Sequence, residues 1–203
     1  MTASIRPSGP EVVALVARAA RGAGFDWGLA DECGAAAGWL AARGAAWWVP
    51  VLRRLDGPPA AAPEPARGLW AGMGTCGLRA GVALAEFAAL PEGPRDGLVL
   101  SDVHAPGLIA PFAARAAATL GIGLRVMVGD AEAARVGPAG GVLAADVPGR
   151  GRVTLTPCAA PAADGSAPRR AVPTEAWRRL EALALWAAVP ASARSARGAG
   201  PAD

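Results

Sequence analysis

Apolar side chains recur at helical spacing near both ends of this chain, and a change of period separates the two regions. Val12, Val16, Ala19 and Ala20 line one face of residues 10–22, with Glu11, Arg18 and Arg21 elsewhere. Pro10 and Glu11 suit a first helical turn, and Gly22 and Gly24 suit an exit. A second helix is predicted from Trp27 to Arg43, where Leu29, Cys33, Ala36, Ala37 and Leu40 form a stripe. Asp26 can accept from the free N–H groups at its start, and Gly44 can take the left-handed exit. The pair reads as a helical hairpin, followed by a short helix from Pro50 to Leu55. A further helix is predicted from Leu78 to Leu90.

The middle of the chain then shortens its period. Gly97–Val103 and Ile122–Val128 are apolar runs of strand length, and Phe112–Leu120 between them reads as a helix. This β-α-β order makes the two strands parallel, joined by a crossover. Gly141–Val147 and Arg152–Thr156 read as a hairpin around Pro148-Gly149-Arg150-Gly151. A last helix, Glu175–Ala187, carries a Trp177, Leu180 and Ala184 stripe, with Thr174 as its cap and Glu175–Arg179 as a favourable pair. The fold class is therefore mixed α/β: a helical hairpin, a small mixed sheet with one β-α-β unit and a hairpin, and a C-terminal helix. Residues 1–57 form the helical segment, 58–68 a Pro/Ala-rich linker, 69–190 the α/β segment and 191–203 a flexible tail, in one domain.

Composition sharpens what this chain can do. It has no Lys, Asn, Gln or Tyr, so alanine reflects GC-rich codon supply as much as helix demand. Without Lys there is no Schiff base, no anchored pyridoxal phosphate and no P-loop clamp. A single His excludes sites that need two imidazoles, and no metal site is expected. The net charge of +3 is spread over scattered Arg doublets, which argues against a nucleic-acid partner. Three cysteines without a CxxC pair suit reduced thiols in a cytoplasm. The N-terminus carries no secretory signal, and no apolar run reaches the roughly 20 residues of a membrane span.

Three stretches carry a resemblance. ARAARGAGFDWGLADECGAAAGWLAARG (Ala17–Gly44), HAPGLIAPFAARAA (His104–Ala117) and VPASARSARGAG (Val189–Gly200) resemble DUF3726, a family of uncharacterised bacterial proteins. That resemblance implies no known activity and assigns no role to any residue.

The candidate chemistry centres on His104. It follows Asp102 by two positions at a strand end, so the side chains share a face, and Asp130 lies at the matching end of the next strand. A carboxylate that orients the imidazole would make it a general base. In the alternative, His104 bonds a backbone carbonyl and closes the loop before Pro106. Gly72-Met73-Gly74-Thr75-Cys76-Gly77 matches GxGxxG ahead of a helix, but no long strand precedes it. Gly72, Gly74, Gly77 and Cys76 are therefore candidates for binding an anion at a helix start, or simply a turn. Cys33 reads as core. Trp47 and Trp48 cannot easily both face inward.

Three functions remain in play. The first is an accessory or small-molecule binding protein for an anionic metabolite, without cofactor. The second is a hydrolase or lyase with His104 as base, Asp102 or Asp130 as orienter and an Arg holding an anionic substrate. The third is a protein-interaction module built on an exposed Trp patch.

Overall fold

The computed structural model describes residues 3–58, 60–144, 147–162 and 167–187. The predicted tail, 191–203, and the third resembling stretch lie outside them.

The helical layer comes first. Helix α1 (Gly9–Gly22) starts on a capping box: the Ser8 hydroxyl accepts from the Glu11 N–H, and the Glu11 carboxylate accepts from the Ser8 N–H. Helix α2 (Trp27–Ala42) starts on Asp26, whose Oδ1 accepts from the Leu29 N–H at 2.8 Å. Small residues let the two lie close, because a Cβ on Gly34 would sit 2.7 Å from the Val13 carbonyl. Helix α3 (Trp48–Leu55) follows, and helix α6 (Thr174–Trp186) returns from the far end of the chain onto α1. Gly22 permits that crossing: a Cβ there would lie 1.8 Å from the Leu183 carbonyl oxygen. Pro173, rather than Thr174, precedes the first turn of α6, and Arg179 bonds Asp56 of the α3 exit at 2.6 Å instead of Glu175. The partner is set by tertiary packing, which brings an exposed carboxylate within reach from 123 residues away.

The sheet has seven strands: β2 (Leu69–Trp70), β3 (Thr75–Cys76), β4 (Leu98–His104), β5 (Gly123–Val128), β6 (Ala131–Gly137), β7 (Gly140–Leu143) and β8 (Arg150–Cys158). Its order is β2-β4-β8-β5-β6-β7, with β3 also on β4. A separate antiparallel pair joins β1 (Ser4–Ile5) to β9 (Val172–Pro173). Two expectations are corrected here. β4 and β5 do run in the same direction, but they are not neighbours: β8 lies between them, antiparallel to both. The predicted hairpin of residues 141–147 with 152–156 does not form either. β7 pairs with β6, and β8 crosses to the centre of the sheet. The neighbouring parallel strands are β2 and β3 on β4, connected by helix α4 (Gly77–Glu86).

Helices α4 and α5 (Ile109–Leu120) cover one face of this sheet. Leu84, Ile109, Ala113 and Ala117 pack on Leu100, Leu124, Val126, Val153 and Leu155. Phe112, on the other side of α5, faces the helical layer with Leu78, Val16, Cys33 and Leu180. The opposite sheet face is half exposed and carries ion pairs of Glu132 with Arg125 and Arg135. Such one-sided burial is the usual condition of an antiparallel sheet. The linker is ordered where described: its Ala61 carbonyl accepts from the Cys76 N–H, and Glu64 bridges Ala71.

Candidate functional site

The end of β4 is where backbone and charge become unusual. Ala105, directly after His104, is fully buried and adopts φ 57°, the one positive φ at a non-glycine among the described residues. The left-handed conformation costs an alanine roughly 1–2 kcal/mol. Two contacts hold it: its N–H donates to the Gly149 carbonyl, and its own carbonyl lies so close to Gly77 that a Cβ there would approach to 2.5 Å. Gly77 is therefore needed for the close approach of α4 to β4.

The glycine-rich stretch is a turn between β2 and β3. Gly72 has φ 153° and Gly74 φ 65°, which turns the Gly74 N–H onto Asp102 Oδ2 at 2.7 Å. The anion that this turn receives is thus the protein's own carboxylate. Arg150, at the start of β8, grips the same carboxylate with Nε at 2.6 Å and Nη2 at 2.5 Å. The guanidinium and the Gly74 N–H hold the Asp102 carboxyl down at about 2.

Asp102 consequently does not orient His104. The β-bulge between Leu100 and Val103 breaks the simple alternation that the i, i+2 spacing presumes. The imidazole packs against Gly57, and its Nδ1 is buried with no hydrogen-bond partner among the described residues. Burial, then the charges of Arg54, Arg150 and Arg53, push its pKa below the usual histidine range, while Asp102 pulls weakly the other way. Asp130 is exposed in the β5–β6 turn and is separated from β4 by β8. Of the three residues expected to rim one crevice, only Asp102 and His104 are near each other, and each has different company.

Arg54 is 6% exposed and has no carboxylate partner among the described residues. Its Nε donates to Cys76 Sγ at 2.9 Å, its Nη1 donates to the Pro58 carbonyl, and its guanidinium lies over the Phe25 ring. Burying a guanidinium costs several kcal/mol unless such acceptors compensate. Cys76 stands at the N-cap of α4 with no exposed surface. Cys33 is also fully buried, and burial pushes its thiol up to about 12.

Arg53, the neighbour of Arg54, turns outward and opens a different feature. Its guanidinium lies against Gly149, and it lines a cleft of about 570 Å3. The walls are apolar: Leu40, Trp47, Pro50, Val126, Leu143 and Val147, from the α2–α3 connection, the sheet and the loop before β8. The N-terminal end of α5 closes one side with Pro106, Gly107 and Ala110. Arg43 and Arg170 also reach the rim, and no described acidic residue does. Arg43 donates to the Gly141 and Trp39 carbonyls and stacks on the Trp39 ring. This volume falls within the usual range of small-molecule sites. Sequence reading missed it, because its lining comes from segments spread between residues 40 and 170. The arginines on its lining, Arg43, Arg53 and Arg170, are far apart in sequence and carry no shared motif.

A larger hollow of about 780 Å3 lies between α1, α6 and the start of α2. Its charge is internally balanced: Arg21 is paired with Asp31 and stacked on Trp27, and Glu181 lines the same wall. Trp27 and Trp186 are the exposed indoles. Trp47 is 2% exposed and Trp48 half-buried, so Trp47 is not available to an exposed Trp patch and Trp48 only in part. One of the adjacent pair points inward and the other meets it edge-on at 5.9 Å.

Residues 8–46 match the model of the family described as protein of unknown function (DUF3726), which bears out the resemblance over the helical hairpin. The other two resembling stretches fall outside the matched residues. No curated protein matches. Among solved structures, the crystal structure of malate dehydrogenase from Entamoeba histolytica is similar at 14% identity with a TM-score of 0.44. That similarity covers 61% of this chain and 38% of the dehydrogenase.

Proposed function

We propose that this protein binds a small anionic molecule in the cleft between the α2–α3 connection, the N-terminal end of α5 and the sheet, and that it works as an accessory or ligand-binding protein in the cytoplasm. One observation carries the reading: about 570 Å3 of mainly apolar cleft has Arg53 and Arg170 on its lining, with no described carboxylate beside them. Apolar walls provide burial, and the few polar groups set orientation and charge selectivity. Free Cys33, Cys76 and Cys158 fit a reducing compartment, and no helix among the described residues is long and apolar enough to cross a membrane.

The catalytic alternative places the work on His104. Supporting the binding reading over it, the His104 ring packs against Gly57, lacks a bonded carboxylate and lies outside the lining of the cleft. A thermal-shift screen of a metabolite library on wild type, Arg53→Ala and His104→Ala separates the two. A ligand at about 100 times its Kd stabilises by about 2.7 kcal/mol, which is several degrees in Tm for a domain of this size. Binding predicts anions that raise the Tm of wild type and His104→Ala but not of Arg53→Ala. A ligand whose effect vanishes with His104 and survives loss of Arg53 would overturn the reading.

A further inference from the structure

The cleft is uneven in its chemistry, and the unevenness specifies a ligand class. At one corner, backbone and charge converge. Arg53 lies on Gly149, whose carbonyl accepts from the Ala105 N–H, and Ala105 leads directly into Pro106, Gly107 and the first turn of α5. A Cβ on Gly107 would lie 3.2 Å from Pro50, one turn before Arg53 on α3, so α3 and the α5 entry lie close together here. Arg53 has no acid partner among the described residues, and the N-terminal end of α5 adds the positive end of its dipole. Away from this corner the described walls are Leu40, Trp47, Val126, Ala133 and Leu143, and among the described residues the ionisable groups beyond them are Arg43 and Arg170 at the rim.

Resting on the binding function proposed above, we infer that the ligand is a monocarboxylate with an apolar body. Its carboxylate sits at the Arg53 corner and its hydrocarbon or ring lies along Trp47, Val126 and Leu143. The charge balance selects a monoanion. One guanidinium at the corner matches one carboxylate in the paired geometry arginine favours, whereas a phosphate dianion would bring a second charge. Arg43 is engaged with the Gly141 and Trp39 carbonyls and is not needed at the head group. The apolar length of the cleft excludes acetate-sized ligands as tight binders, because each buried methylene adds to affinity while the head group alone stays solvated at an exposed arginine.

Octanoate, octanol, acetate and inorganic phosphate are the probes, measured by calorimetry and by tryptophan fluorescence, to which Trp47 on the cleft wall contributes. Octanoate binds, while octanol, acetate and phosphate each bind at least about 10-fold more weakly. Arg53→Ala weakens octanoate about 10-fold or more, and Arg53→Lys recovers part of the loss. Leu143→Glu, on the half-exposed edge strand, places a like charge against the ligand and abolishes binding, with a thermal melt confirming that the variant, whose Leu143 packs on the core margin, still folds. Octanol binding as tightly as octanoate would overturn the carboxylate, and acetate or phosphate binding as tightly would overturn the apolar body. Octanoate failing to bind, while other anions still bind through Arg53, would sink the ligand class and leave the binding function standing. No anion depending on Arg53 would sink both.

Discussion

Replacing Asp102 by Asn should cost little at neutral pH and should change how stability responds to acid. The carboxyl sits at about 2 in the folded chain and near 3.9 when unfolded. A full shift of that size corresponds to roughly 2.6 kcal/mol. Water reaches the pair, however: the Arg150 side chain is 57% exposed and that of Asp102 26%. Exposed ion pairs contribute up to about 1 kcal/mol, so about 1 kcal/mol is the expected loss for Asp102→Asn at pH 7. The amide oxygen still accepts from Gly74, which limits the damage to the turn. Because folding lowers this pKa, the carboxylate stabilises above about pH 4, and its contribution disappears as pH falls through about 2. Urea denaturation followed by tryptophan emission at pH 7, 5, 4 and 3 should show the gap between wild type and Asp102→Asn closing below about pH 4. The chain has one histidine, so a single imidazole proton resonance gives a second readout. Its midpoint lies below 6.5 in the wild type and lower still in Asp102→Asn, because the substitution removes the one charge that raises it. A stability gap that stays constant from pH 5 to pH 3, or an imidazole midpoint that rises in the variant, would refute this account of the β4 end.

The other predictions concern packing and linkage. Gly81→Val should destabilise by about 1–3 kcal/mol in thermal melts, since a Cβ there lies 2.3 Å from the Phe112 ring, and Phe112→Leu should recover part of the loss. Gly22→Ala should be worse than its helical position suggests, because the obstacle is the Leu183 backbone carbonyl on α6, which cannot rotate away. Ser8→Ala should cost about 1 kcal/mol through loss of the α1 cap. Folding lowers the His104 pKa, so between 6.5 and that lower value the unfolded chain takes up a proton the folded chain refuses. Stability should therefore decline as pH falls below 6.5, by at most about 1.4 kcal/mol per pH unit, and His104→Ala should flatten the decline.

The helices were legible because each declares itself locally. Pro10, Asp26 and the stripes of α1, α2, α5 and α6 depend on residues a few positions apart, although the Ser8 cap of α1 was not read from the sequence. Strands β4 and β5 were legible as apolar runs, but their neighbour was not. β8 alternates Val153 and Leu155 inward with Thr154 and Thr156 outward, a pattern that fits β7 across a Pro-Gly turn as well as it fits β4 and β5. β6, rich in alanine and carrying Glu132 and Arg135, has no strand composition at all and is fixed by its partners. At the site, Asp102 and His104 were picked out as a pair, but the spacing argument could not anticipate the bulge between Leu100 and Val103, or an arginine arriving from β8 to take the carboxylate. The cleft has no local signature, since its walls meet only after the helical layer docks on α5.

The placement of β8 also sets an order of events during synthesis. Residues 98–104 and 123–128 leave the ribosome well before 150–158, and the two strands they form have no hydrogen bonds to each other. Until the later segment emerges, each has an open edge facing the slot it will fill, and Arg150 is not yet there to meet Asp102. The nascent chain therefore carries two unsatisfied strand edges over a stretch of translation. Growth temperature and elongation rate should affect the yield of this protein more than those of a domain whose sheet assembles in the order it is made.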